Sequence, residues 1–399
     1  MPASHFFADN PADLGLAPDK VKALLDRAER DVKDGVLPAC QVAIARNGKV
    51  GAMRTFGRAI QGGVEKPATN ETLFVIMSAT KAITSAAAWI LMQEGKLRPE
   101  DPIVKYVPEY GTNGKEKTTI EQLLIHTAGI ALAPGSPKDW GDHKRRLERF
   151  AQWRPTHVPG EKFTYHIHSN YWPIAEAIER ISGKELATFV RERIATPLGL
   201  PDLQIGIPAS LNDRVADLIW VGEPASDADY KKIGVAPPRA AMASLNEDLI
   251  LEFNDLAVRE AAFPAGGGTT TAADIALFYQ ALLHDGRSFD GKPIWQPEML
   301  REARRIRSGD LKDPLRGFTA NRALGIVIAG GDGSANLRGF GRTNSPEAFG
   351  HPGFGGQIGW ADPVTGISFG YLTNGFDRND LREGRRSVAV ASLAGSCAA

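Results

Sequence analysis

Apolar residues recur at Val21, Leu24, Leu25, Ala28 and Val32, the three-and-four spacing of a single helix face. With Pro18 in the first turn and Gly35 just past the end, the pattern predicts a helix over 18–33. The period then changes. Two short apolar runs, 39–46 and 49–53, surround Asn47-Gly48, and that pair predicts a tight β-hairpin. The C-terminal third returns to strand-like runs at 324–329, 357–362 and 367–372, the last two flanking a Pro363-Val364-Thr365-Gly366 turn. A closing helix is predicted over 381–393. Between these ends the signals are mostly helical, at 119–125, 171–181, 186–194 and 272–283.

Two stretches, 131–159 and 208–264, show neither period and are rich in Pro, Gly and charge. They are long for structureless loops, which suggests lids or substrate walls. The pattern predicts an α+β fold: one antiparallel sheet built from both termini and flanked by helices, with a mainly helical lobe inserted. The expected division is a single catalytic unit spanning 1–399. Its α/β lobe covers approximately 15–98 and 265–399, and the inserted lobe approximately 99–264.

Composition adds exclusions. The chain has 399 residues, 43% of them hydrophobic, with 47 Lys plus Arg balancing 47 Asp plus Glu. No block of like charge calls for a nucleic-acid partner, and no apolar run nears the roughly 18 residues of a membrane-spanning helix. Cys40 and Cys397 are too sparse for a disulfide framework. The first residues lack the basic and apolar regions of a signal peptide, so a cytoplasmic location is expected.

Chemistry concentrates in residues 77–92, a run apolar on nearly every side that begins Met77-Ser78-Ala79-Thr80-Lys81. Lys81 falls one helical turn from Ser78, on the same face. An amide at a helix N-terminus can stabilise an oxyanion. A lysine in an apolar interior loses hydration of its charged form and becomes a usable base. Ser is also a common N-cap, and Ser-x-x-Lys arises by chance about once or twice in a chain this long. Lys81 within so apolar a run tips the balance, because an unpaired ammonium there is costly.

Two further segments supply what a nucleophilic serine needs. Residues 158–172 place Tyr165 just before a predicted helix, where a lowered pKa would let it share the general-base role. Its bland alternative is a half-buried packing tyrosine. Residues 349–360, with His351-Pro352-Gly353-Phe354-Gly355-Gly356, border a strand with enough glycine for a ligand to approach the backbone. The Phe354 N–H is the expected second oxyanion donor; a plain bend ahead of a hairpin is the alternative.

Taken together, Ser78-Ala79-Thr80-Lys81, Tyr165 and His351-Pro352-Gly353 resemble the three ordered motifs of the serine β-lactamase and penicillin-recognising superfamily. The nearest branch is the family VIII carboxylesterases, related to class C β-lactamases and D,D-peptidases. Residues 120–130, 178–183 and 264–268 agree, and the resemblance covers roughly 16–374. It implies an acyl-enzyme on Ser78, proton handling by Lys81 and Tyr165, and substrate or oxyanion contacts from Ser78, His351, Gly353 and Phe354. No metal or other cofactor is implied, and the partner would be a small-molecule ester. The chain departs from the drug-binding branch at His351, where β-lactamases usually carry lysine. Pro352 stands where they carry Thr or Ser, and no Asn lies two places after Tyr165. Proline offers no donor to a substrate carboxylate. Ester cleavage is therefore expected, with acyl transfer and weak β-lactamase turnover as side activities. The rivals are an amide or peptide hydrolase and a non-catalytic ligand-binding relative.

Other signals point elsewhere. His126 is expected to be structural and hydrogen-bonded. His166 and His168 alternate as in a strand and would face apart, which disfavours a shared metal. Residues 286–292 mimic a phosphate loop, but Pro293 occupies the place of the metal-binding hydroxyl, so a turn is expected. Trp140, Trp153, Trp172, Phe354 and Trp360 are candidates for an apolar acyl pocket.

Overall fold

In the computed structural model, which describes residues 1–234, 237, 247–288 and 291–399, the two ends of the chain meet in one antiparallel sheet. Its strands are β1 (Ala39–Arg46), β2 (Lys49–Gln61), β3 (Val64–Pro67), β4 (Val327–Ile328), β5 (Phe349–Gly350), β6 (Ile358–Asp362) and β7 (Ile367–Thr373), in the order β3-β2-β1-β7-β6-β5-β4. The β1–β2 turn needs left-handed backbone twice, at Asn47 (φ 54°) and Gly48 (φ 75°), which is what Asn-Gly supplies. The N- and C-terminal parts join at β1–β7, with Val42 opposite Tyr371 and Ile44 opposite Phe369.

Strand alternation sorts side chains into two cores. Cys40, Val42, Ile44, Trp360 and Phe369 face helices α1 (Pro18–Lys33) and α5 (Asp380–Gly395). Ala39, Ala43 and Ala45 face the opposite, larger core. There the chain uses small residues so that a helix can lie close. A Cβ at Gly370 would come within 2.5 Å of the Ala272 carbonyl, and one at Gly359 within 2.8 Å of the Tyr279 ring. Both contacts belong to α4 (Ala272–Leu283). Deeper in this core lies α2 (Thr80–Gln93), buried along almost its entire length and tied by Trp89 Nε1–H to the Leu324 carbonyl at 3.0 Å. Helix α3 (Tyr171–Ser182) packs against it.

Most predicted elements appear within a residue or two of their expected bounds. Residues 324–329 are an exception: only Val327–Ile328 joins the sheet, because Gly325 takes φ 83° and breaks the extended run. Residues 131–159 contain helices Pro137–Gly141 and His143–Gln152, capped by Ser136 and Asp142. They are short and heavily charged, and the apolar face of His143–Gln152, Leu147 with Phe150, spans a single turn. Within 208–264 the described parts include helices Asp227–Ile233 and Leu256–Glu260 and strand Ile219–Val221; residues 235–236 and 238–246 lie outside the described residues. At the expected turn over 286–292, Ser288 N–H donates to the Lys292 carbonyl at 2.7 Å, while Phe289 and Asp290 lie outside the described residues. Cys40 and Cys397 are buried and unpaired. Among the described residues, no helix is long and apolar enough to cross a membrane.

Candidate active site

Ser78 is set at the entrance to α2 by backbone geometry. Met77 is held at φ 46°, a costly conformation for a side-chain-bearing residue. A 3-10 turn, Met77–Ala79, then leads into the helix, so the helix proper begins two residues later than the sequence suggests. The turn is locked from the neighbouring strand: Ile76 N–H donates to the Gly268 carbonyl at 2.9 Å, and Gly268 N–H to Thr80 Oγ1 at 2.8 Å. Between Thr72 and Leu91, Ser78 alone is partly exposed. Its N–H stands in the first turn, where amides have no intrahelical acceptor.

Lys81 is fully buried, and Nζ lies 2.7 Å from the Ile167 carbonyl, 2.9 Å from the Ala265 carbonyl and 3.2 Å from Ser78 Oγ. Burial, reinforced by the positive charge of Arg322, holds its pKa well below the usual lysine value. A neutral amine has two hydrogens and one lone pair. With both hydrogens on carbonyls, the lone pair is left for the Ser78 hydroxyl.

Tyr165 sits in an irregular segment that histidines hold in place. His166 Nδ1 lies 2.6 Å from the Thr164 carbonyl, and its Nε2 accepts from Ile130 N–H at 3.0 Å. His166 N–H in turn donates to His126 Nδ1 at 2.9 Å. The His126 ring stacks on Tyr165 with centroids 4.6 Å apart and planes at 20°. His126 is thus the hydrogen-bonded structural residue expected, with one added duty as the platform for the phenol. His166 and His168 do not alternate along a strand, since residues 163–168 form none.

Lys81 Nζ is 5.5 Å from the Tyr165 ring centroid, and the phenol interacts with the Ser78 hydroxyl. The serine, the lysine and the tyrosine therefore converge. The expected lowering of the tyrosine pKa is corrected: burial pushes it above 10.0, outweighing the opposing pull of Arg322 and Ser78.

The third segment closes over the first. A Cβ on Gly353 would overlap the Ile76 carbonyl oxygen, so glycine there lets the turn rest against the strand leading to Ser78. Gly353 and Gln357 exchange backbone hydrogen bonds at 2.8 and 3.2 Å, while the Phe354 N–H has no partner among the described residues. His351 is buried with both ring nitrogens engaged: Nδ1 lies 2.8 Å from the Pro352 carbonyl and Nε2 3.2 Å from Arg322 Nη1. A carbonyl only accepts, so Nδ1 carries the hydrogen and Nε2 accepts from Arg322.

Arg322 gives no sign of itself in the sequence, where it stands alone between Asn321 and Ala323. Its Cζ lies 5.3 Å from the Tyr165 ring centroid and 5.4 Å from that of Phe163. Burial keeps the surrounding imidazoles neutral: His126 and His351 fall well below 6.5, His166 to about 3 and His168 to about 4.

The aromatic candidates separate. Trp172 lies 5.2 Å from the His168 ring and 6.0 Å from Phe263, with Trp140 and Trp153 tilted against it at 5.7 and 5.6 Å. Phe354 meets Trp220 edge-on at 6.0 Å. Trp360 is no part of this group. It faces the other side of the sheet and packs on Phe369 at 5.4 Å.

Comparison with known proteins gives a consistent picture. The model of the beta-lactamase family matches residues 25–393. The esterase/beta-lactamase LipL of Mycobacterium tuberculosis (strain ATCC 25618 / H37Rv) is 29% identical over 310 residues, 75% of this chain and 68% of LipL. A penicillin-binding protein homolog from Caulobacter crescentus superposes with TM-score 0.78 at 27% identity, covering 95% of this chain and 99% of the homolog. A family VIII carboxylesterase superposes with TM-score 0.75 at 28% identity, with the same coverage of both chains.

Proposed function

The chain belongs to the beta-lactamase family, and from that premise we propose that it is a serine hydrolase cleaving carboxylic esters through an acyl-enzyme on Ser78. The observation that carries this reading is Lys81 Nζ, buried, held by two carbonyls and 3.2 Å from Ser78 Oγ. In the first step Lys81 takes the Ser78 proton as Oγ attacks the ester carbonyl. The N–H groups of Ser78 and Phe354 would hold the oxyanion. Tyr165, whose pKa is raised, keeps its proton at rest and can pass it to the departing alkoxide, recovering one from Lys81. Water, or a second alcohol, then attacks the acyl-enzyme, returning the proton to Ser78 as the acid or new ester leaves.

Esters are favoured over β-lactams because His351 and Pro352 offer no cation and no hydroxyl where drug-binding relatives carry lysine and Thr or Ser. Weak β-lactamase turnover is expected as a side activity. The second reading, hydrolysis of amides or peptides, has support from similarity to a putative D-alanyl-D-alanine carboxypeptidase of Escherichia coli (strain K12), 26% identical over 391 residues.

A fluorophosphonate should add one label to the intact protein, mapping to the peptide that contains Ser78. p-Nitrophenyl butyrate should be hydrolysed by the wild type and not by Ser78→Ala. A label on another serine would remove Ser78 from the mechanism. Faster turnover of D-amino-acid amides than of esters would move the assignment to the second reading.

A further inference from the structure

Arg322 is a guanidinium with no ion-pair partner among the described residues, Asp313 and Arg316 acting on it only from beyond that distance. Among the described residues no carboxylate lies within ion-pairing distance, its Nε–H is buried without a partner, and its one hydrogen bond is to His351. Arg322 is half-buried, and even partial desolvation of an unpaired cation is costly. Two features make its position specific. It lies beside the Tyr165 ring at 5.3 Å, the ring that Lys81 Nζ approaches to 5.5 Å. It also fixes the tautomer of His351 by donating to Nε2.

The surroundings of Lys81 sharpen the point. The titratable groups that face it are the phenols of Tyr165 and Tyr171, with Nζ 5.5 Å from each ring, and the imidazoles of His126, His166, His168 and His351. All six are uncharged near neutral pH, the phenols of Tyr165 and Tyr171 because their pKa values are raised. Arg322 is therefore the permanent charge to which Lys81 is exposed. Two cations near one ring repel, and the lysine relieves the repulsion by giving up its proton, because the guanidinium cannot.

We propose that Arg322 is a positioning residue of this active site: its fixed charge, beside the Tyr165 ring that Lys81 also approaches, adds to the effect of burial in favouring the free amine of Lys81, and its hydrogen bond holds His351 in the Nδ1–H form. The charge that the third motif lacks is thereby brought from a different segment of the chain. This rests on the reading of Lys81 as the base for Ser78.

The test is the pH dependence of fluorophosphonate labelling of Ser78, and of p-nitrophenyl butyrate kcat/KM, in the wild type, Arg322→Gln and Arg322→Lys. Activity that needs unprotonated Lys81 is lost as pH falls through the pKa of Lys81. Removing the repulsion raises that pKa, so the acid limb of Arg322→Gln should appear, or move, at least half a pH unit above that of the wild type. Arg322→Lys should return it toward the wild-type position. Profiles that differ in height but superimpose when normalised would overturn the proposal, leaving Arg322 a packing residue. Failure of the wild type to label or turn over would instead sink the serine-hydrolase reading, so the two failures are distinguishable.

Discussion

At the scale of single residues, the site is governed by which groups burial allows to carry charge. Lys81 has its pKa lowered and Tyr165 has its pKa raised, so the neutral amine and the neutral phenol coexist over a wide pH range. Activity should fall on the acid side as Lys81 gains a proton, and on the alkaline side only above 10.0, as Tyr165 loses one. A kcat/KM profile that stays level from well below the ordinary lysine value of 10.5 up to 10.0 is the expected result; activity that rises only as pH passes the ordinary lysine value would contradict it. Lys81→Arg should be as inactive as Lys81→Ala toward p-nitrophenyl butyrate, since guanidinium stays protonated. Tyr165→Phe should lower the rate by two or more orders of magnitude, roughly 3 kcal/mol in the barrier. Wild-type rates in any of these variants would exclude that residue from the chemistry.

Elements matter here through how closely they approach. Helix α2 is held against the segment before β4 at Gly325, which stands at φ 83°, and a Cβ there would overlap the Ser85 hydroxyl. Ser85 Oγ is also 2.8 Å from the Tyr171 hydroxyl, so a displaced Ser85 would disturb the interior of α2 and the start of α3 together. Gly325→Ala should cost more than about 2 kcal/mol in chemical denaturation. Gly183 follows α3 at φ 68° with open space around it. Gly183→Ala should cost only about 1 kcal/mol, the backbone penalty alone. Equal costs would show that strain, not crowding, sets both.

For the whole molecule, the buried histidines make the fold sensitive to acid. His166 and His168 titrate at about 3 and about 4 when folded, against 6.5 when unfolded. Below about pH 6.5 the unfolded chain binds protons that the native state refuses. Their contribution is complete above 6.5 and is lost as pH falls toward the folded values, at up to about 1.4 kcal/mol per pH unit for each histidine. Urea midpoints should decline from pH 7 to pH 5, and His166→Gln should flatten the decline. A wild-type midpoint constant across that range would refute the linkage.

Much of this molecule was legible before its structure. The helix over 18–33, the Asn47-Gly48 hairpin and the paired strands around 363–366 all follow from side-chain period and turn chemistry, which act over neighbouring residues. Ser78 and Lys81 were legible for the same reason, since one helical turn joins them. Tyr165 was a candidate from its place just before a predicted helix, but with a packing tyrosine as its equal, and His351 took a role only through resemblance, because little that is local distinguishes either from a packing residue. The short charged helices within 131–159 escaped because their apolar face, Leu147 with Phe150, spans a single turn among charged residues. Arg322 escaped entirely, and the tyrosine pKa was expected in the wrong direction. Both depend on what long-range packing gathers around a group. Spacing along the chain decides local conformation, but hydration, charge and distance between remote side chains are properties of the folded interior.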